Sequence, residues 1–200
     1  MKYALTVLLG LSLTLNTAHA QNFEFDQDFS FSGNEIGFDI AFSASTNGGN
    51  AGLGLKYGFN FGEYLVAGPS VRYERLWIKN QLTTQSAGYN MFGGGAFVHG
   101  RFFNALFLGA EFEMLRSPYQ TAGLISKNTT WAPTLFLGGG FSMEFNTLIR
   151  LNAGIMYDVI NADNSPFRSS YFMQKKTALG EPAGYLPIIY RIAFFIPLNN

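Results

Sequence analysis

Apolar and polar-or-small residues alternate strictly along much of this chain. In IGFDIAFSAS, Ile36, Phe38, Ile40 and Phe42 fall on one side of an extended backbone, and Gly37, Asp39, Ala41 and Ser43 on the other. In AGLGLKYGFNF, Leu53, Leu55, Tyr57, Phe59 and Phe61 share one side, and Gly52, Gly54, Lys56, Gly58 and Asn60 the other. A helix would scatter these residues around a cylinder, whereas a period of two sorts them completely. The same test predicts eight strands, at about 36–45, 51–61, 64–79, 90–103, 105–118, 131–145, 148–160 and 185–197.

The connections between them alternate in length. Three are minimal, around Gly62, Asn104 and Asn146, each beside a Phe (Phe61, Phe103, Phe145) at a constant spacing of 42 residues. Of the other four, TNGGN at 46–50 is a compact hairpin loop, and 80–89, 119–130 and 161–184 are long. Short turns on one rim, longer loops on the other and a hairpin-sized repeat describe an up-and-down barrel of the outer-membrane kind.

A soluble barrel alternates too, with its apolar register inside and a charged register in water. Here the register opposite the apolar one is mainly Gly, Ala and Ser with thinly spaced charges, as suits the narrow interior of eight strands. Tyr73, Trp77 and Trp131 cluster toward the long-loop ends, where an interfacial aromatic girdle belongs. The fold class is therefore all-β, an eight-stranded antiparallel up-and-down transmembrane β-barrel.

Composition agrees. Charged residues are 13% of the chain, with 21 Phe and 23 Gly, against roughly 25% charged in soluble domains. Residues 1–20 read as a signal peptide: Lys2, an apolar run, and AHA before Gln21. No later stretch is long and apolar enough for a spanning helix, which leaves the closed barrel as the structure able to satisfy its backbone in lipid. Without Lys2, 12 basic and 13 acidic residues remain, a balance that gives no pull toward nucleic acid. The absence of cysteine excludes a disulfide-stapled secreted fold.

The leader ending AHA, ALFLGAEFEMLR on the fifth strand, WAPTLFLGGGF on the sixth and LIRLNAGIMYDVI on the seventh resemble the small eight-stranded outer-membrane barrels of the outer membrane protein A and X type, in particular the short exported barrels of Bacteroidetes-type bacteria. The resemblance is one of pattern over residues 36–198. It implies a monomer placed in the outer membrane by the barrel-insertion machinery, in contact with outer-membrane lipid and lipopolysaccharide. Such barrels usually end on an aromatic residue, whereas this chain ends FFIPLNN. Residues 21–35, QNFEFDQDFSFSGNE, alternate in the opposite parity from Ile36 onward and read as an N-terminal periplasmic segment, either a tether or a ninth pairing strand.

With the apolar register outward, the inward one collects Asp39, Lys56, Arg72, Glu74, His99, Arg101, Glu111, Glu113, Glu144, Arg150, Asp158 and Arg191. Near-balanced opposite charges in a confined space pair and hydrogen-bond with one another, so the expectation is a filled polar lumen, with a narrow small-solute channel as the alternative. A lipid-modifying enzyme is the third reading. It needs a histidine with a serine and a carboxylate near the outer leaflet. After the leader the one histidine is His99, which points inward near the short-turn end, with carboxylates such as Glu144 as its nearest candidate partners and no serine beside it. It reads as a polar-core residue; no cofactor motif is present, and one histidine without cysteine makes no metal site. The long-loop rim is basic, with Lys127, Arg168, Lys175 and Lys176 as candidate contacts for an anionic glycan such as lipopolysaccharide.

Overall fold

The computed structural model describes residues 31–45, 48–79, 86–103, 105–121, 124–145, 149–172, 174–176 and 182–198. Strands β1 (Phe31–Ser45), β2 (Gly48–Phe61), β3 (Leu65–Lys79), β4 (Ser86–Phe102), β5 (Leu106–Thr121), β6 (Leu124–Phe145) and β7 (Ile149–Asp158) follow one another. A 3-10 helix (Pro166–Ser170) and a small hairpin, β8 (Gln174–Lys176) and β9 (Pro182–Tyr185), precede β10 (Ile188–Leu198). Each barrel strand pairs antiparallel with its sequence neighbour, and β10 pairs with both β7 and β1 to close an eight-stranded barrel.

The alternation sorts as the sequence reading requires. Phe42, Leu108, Phe141, Trp131 and Ile155 are exposed on the outer wall, while the opposite parity is buried inside. From Leu106 to Met114 on β5 the outward positions are Leu106, Leu108, Ala110, Phe112 and Met114, and the first outward charge is Arg116. Nine residues of apolar outer face match the length that a tilted strand needs to cross hydrocarbon. At the level of Arg116 the register joins Tyr73 to Phe92, Phe92 to Arg116 and Arg116 to Trp131. Arg116 lies over the Phe92 ring at 5.5 Å, and Phe92 meets Trp131 edge-on at 6.2 Å. This is an aromatic girdle with a cation at its water side.

Close curvature is built from glycine. A Cβ added to Gly95 would lie 1.8 Å from the Phe112 carbonyl oxygen, and one on Gly140 would lie 2.2 Å from that of Ala153. These backbones touch where any side chain would hold them apart.

The structure differs from the sequence expectation at several element ends: Gly48–Asn50, expected in a hairpin loop, pair with β1, the β8–β9 hairpin falls within the expected loop 161–184, and three larger differences stand out. First, β1 begins at Phe31 rather than near residue 36. Phe31 pairs with Phe61 and Asn34 with Phe59, so three steps on β1 match two on β2. The bulge contains Gly33 at φ 119°, and it reverses the inward and outward parity, which explains the change of alternation before Ile36. Residues 21–30 lie outside the described residues. Second, much of 119–130 is strand, not loop: β5 and β6 continue past the rim to the Thr121–Leu124 pair. The residues over 119–130 show no apolar–polar alternation, so periodicity marks no strand there. Third, β4 begins at Ser86 instead of near residue 90 and pairs there with Lys79. The strand ends that the three short connections join, Phe61 and Leu65, Phe102 and Leu106, and Phe145 and Ile149, lie at one rim. Ala105 N donates to Phe102 O at 3.1 Å, and Phe103 takes φ 55°; Asn104 and residues 146–148 lie outside the described residues.

Candidate functional site

A belt of charge crosses the middle of the lumen. Lys56 Nζ donates to Asp39 Oδ1 at 3.0 Å and Oδ2 at 2.8 Å, and to Glu111 Oε1 at 2.7 Å. Arg72 Nε donates to both Glu113 oxygens at 3.0 Å, and Nη2 to Asp39 Oδ2 at 2.8 Å. Arg72 Nη1 reaches Glu74 Oε1 at 3.4 Å, and Asn50 Nδ2 donates to Glu74 Oε2 at 3.0 Å. Arg191 Nη2 lies 3.1 Å from Glu111 Oε2, and Nη1 lies 3.7 Å from Asp39 Oδ2. Strands β1, β2, β3, β5 and β10 thus send charges to one level. Every charged member is 5% exposed or less, so each depends on its partners to offset desolvation.

His99 closes the belt on the short-turn side. Its Nε2 is 2.8 Å from Glu111 Oε1, and its ring packs against Phe97 at 5.0 Å, Phe107 at 5.4 Å and Phe195 at 5.9 Å. The partner is Glu111 and not Glu144: Gly109, the register partner of His99, lies two residues before Glu111 on the inward face of β5, whereas Glu144 is at the rim. No hydroxyl among the described residues bonds either ring nitrogen, so no nucleophile–base pair is assembled. Among the described residues no group of His, Cys, Asp and Glu could hold a metal ion.

Apolar layers cover the belt on both sides. Val66, Phe97, Ala193 and Phe195 form one, toward the short turns. Leu76, Met91, Leu115, Phe136, Met156, Ile189, Phe167 and Tyr171 form the other, toward the long loops. The lumen is therefore layered, apolar, charged and apolar. Parity carries a signal for this, because Phe97 shares its side of β4 with His99 and Arg101, and Phe107 shares its side of β5 with Glu111.

Two members of the outer layer come from the last long loop. Pro166 initiates the 3-10 helix, which directs Phe167 inward against Phe136, ring centroids 5.0 Å apart and edge-on. Arg72 and Arg191 face the Phe167 ring at 5.8 and 5.9 Å. Tyr171 Oη donates to Asp158 Oδ2 at 3.0 Å, and Ser165 Oγ reaches the same oxygen at 3.4 Å. Ser117 Oγ donates to Asn164 O at 2.5 Å, and Asn164 Nδ2 to Thr130 Oγ1 at 3.0 Å. Burial pushes the Tyr171 phenol above its usual value, and the Asp158 carboxylate beside it adds to the rise. The loop is a plug, pinned to β5, β6 and the end of β7.

At the short-turn mouth, Arg101 donates to Glu35 through Nη1 at 2.9 Å and Nη2 at 2.5 Å, and its guanidinium lies over Phe195 at 4.8 Å. Arg150 Nη2 donates to Glu144 Oε2 at 2.5 Å, with both side chains part-exposed. The twelve inward residues named from sequence all lie on the inner wall. Ten are buried, and Glu144 and Arg150 stand at the opening. Glu35, Asn50, Ser165, Phe167 and Tyr171 join them inside. Arg168 donates to Ala162 O at 3.1 Å, Asn161 O at 3.2 Å and Asp163 Oδ1 at 3.2 Å, so its guanidinium braces the plug. Lys127 lies on the β6 extension and Lys175 and Lys176 on β8; their side chains lie outside the described residues.

An apolar outer wall around a charged, packed interior defines a β-barrel of the membrane-protein class. No protein-family model matches the chain, and no curated protein matches it in sequence. Among solved structures, the outer membrane protein Ail of Yersinia pestis in a phospholipid bilayer nanodisc is similar, with a TM-score of 0.43 and 11% identity over 82% of this chain and 99% of that one.

Proposed function

We propose that this protein is an integral outer-membrane barrel that does not conduct, and that it serves the outer surface through its long loops, structurally or by binding. The observation that carries this reading is the layered lumen. The Lys56–Asp39–Arg72–Glu113 belt lies between two apolar layers, one of them completed by Phe167 and Tyr171. Three buried cations (Lys56, Arg72 and Arg191) and four buried carboxylates (Asp39, Glu74, Glu111 and Glu113) meet one another there instead of lining an open path. The binding face is the long-loop rim, where Arg75 and Arg116 stand on the outer wall above the apolar band, with Lys127 on the β6 extension, Arg168 on the 3-10 helix and Lys175 and Lys176 on β8 beyond it. Cations at that level suit the phosphates of lipopolysaccharide or another anionic glycan.

Planar-bilayer recording tests the first part. The purified protein is expected to give no discrete openings, and reproducible unitary steps would sink the filled-lumen reading in favour of a narrow channel. Heat-modifiable gel mobility tests the barrel itself, because identical migration of boiled and unboiled samples would count against it.

A further inference from the structure

The barrel closes where β10 meets β1, and there the ladder stops short. Pairing runs from Asn34–Leu198 to Ile40–Ile192. Yet β1 continues to Ser45, paired there with β2, and β10 begins at Ile188, paired there with β7. The same register carried on would join Ala41 to Arg191, Phe42 to Tyr190, Ser43 to Ile189 and Ala44 to Ile188; among the described residues these pairs are not formed. Other groups stand in for the ladder. The Tyr190 phenol donates to Phe42 O. From the end of the plug, Phe172 N donates to Ile188 O at 3.4 Å, and the Phe172 ring leans on that of Tyr190 at 6.5 Å. Pro187 O accepts from Asp158 N on β7, so Ile188, the next residue along, directs its carbonyl to the opposite side, toward β1. Phe172 therefore takes the acceptor that Ala44 would use. A crevice of about 30 Å³ crosses the wall at this point, with Ile40, Phe42 and Tyr190 from its outer face, Arg191 from its inner face, and Phe167 and Ser170 from the plug.

From these contacts we infer that the long-loop end of the β1–β10 seam is a two-state element governed by the plug. With the plug seated, the seam stands open to the outside of the wall; with the plug withdrawn, the remaining pairs form and the wall closes. Backbone pairing drives the exchange. Peptide groups at the edge of hydrocarbon must find partners, and here two sets compete for one gap. Either Phe172 and the Tyr190 phenol serve Ile188 O and Phe42 O, or the opposite strand does. The two strands already carry matching register up to Ile40–Ile192, so closure extends an existing ladder and needs no new nucleus. Whatever draws the last long loop outward thereby seals the wall, which makes the lateral opening responsive to the outer surface. That the opening faces lipid rests on the outer-membrane reading proposed above; the coupling of plug and seam rests on the contacts alone.

Amide hydrogen exchange of the full barrel in detergent micelles tests this. In the native chain Phe42 and Tyr190 are expected to exchange faster than Phe38 and Phe194, which sit in the formed part of the ladder. Two variants free the plug: Phe167→Ala removes its anchor, and Phe172→Pro removes the donor to Ile188 O at a half-exposed position outside the packed lumen. Each is expected to slow exchange at Phe42 and Tyr190 roughly tenfold, as one gained backbone hydrogen bond does. A plug that merely packs on a fixed seam would leave these amides unchanged or quicken them, and that result overturns the inference. Native protection at Phe42 and Tyr190 equal to that at Phe38 and Phe194 overturns it too. The absence of native cysteine allows a second measurement. Ser43→Cys with Ile189→Cys, opposed in the continued register, is expected to form its disulfide faster when combined with Phe172→Pro than without it, and equal rates count against the coupling. Heat-modifiable mobility reports on the barrel and bilayer recording on conductance whatever the seam does, so this inference and the reading above fail separately.

Discussion

The ring of Phe167, from the last long loop, meets the ring of Phe136 on β6 edge-on at 5.0 Å inside the barrel. A surface loop thereby supplies part of the core. Phe167→Ala is expected to weaken docking of the plug by about 3 kcal/mol, the usual loss for a buried Phe. Hydrogen exchange should then quicken at the amides of Ser165 and Arg168 while β4 and β5 keep their protection. Unchanged exchange at those two amides would show that Phe167 is not the anchor.

Lys56 holds two carboxylates at once, and replacing it leaves Asp39 to Arg72 and Arg191, and Glu111 to Arg191 and His99, with one cation fewer in the belt. Lys56→Met is expected to cost about 3–5 kcal/mol, the penalty for breaking a buried pair from one side, read as a lower urea midpoint in micelles. Adding Glu111→Gln should recover part of the loss by removing one of the carboxylates then in excess in the belt. A double variant no better than the single would contradict the pairing.

Curvature sets a different limit. Gly95→Ala is expected to destabilise by about 1–3 kcal/mol, the range for overpacking, because its Cβ would press on a backbone carbonyl. Gly88→Ala serves as the control, since its Cβ would meet only the movable end of Arg75. Equal stability of the two variants would refute the argument from backbone contact.

Tyr171 should titrate late. The folded phenol is raised above the unfolded value of about 10, so its contribution is fully present below that value and is lost as the pH rises from there toward the folded value. The plug is thus expected to loosen only in strong alkali, with a tyrosinate absorbance step that disappears in Tyr171→Phe. A Tyr171 step at the ordinary phenol value would mean that the ring is not buried as described.

His99 bonds Glu111 and is enclosed by Phe rings. His99→Ala is expected to leave the lipid composition of the host membrane unaltered in mass spectra while costing some stability. Disappearance of a modified lipid in that variant would make the protein an enzyme.

The alternation from Ile36 to Phe42 and from Leu53 to Phe61 determined the strands, their inward and outward faces, and so the membrane-type barrel. Backbone geometry with a period of two admits one sorting of these residues. The same parity placed all twelve charged or titratable groups on the inner wall. Which of them pair was decided by closure and register: Glu111 and not Glu144 meets His99 because β5 lies beside β4, and β10 brings Arg191 to Asp39 and Glu111 from the far end of the chain. The Gly33 bulge, which shifts the register of β1 between Phe31 and Asn34, and the plug, which carries Phe167 and Tyr171 into the lumen, belong to irregular backbone. No periodicity marks such segments, and their side chains find partners only when distant strands have already built the cavity that receives them.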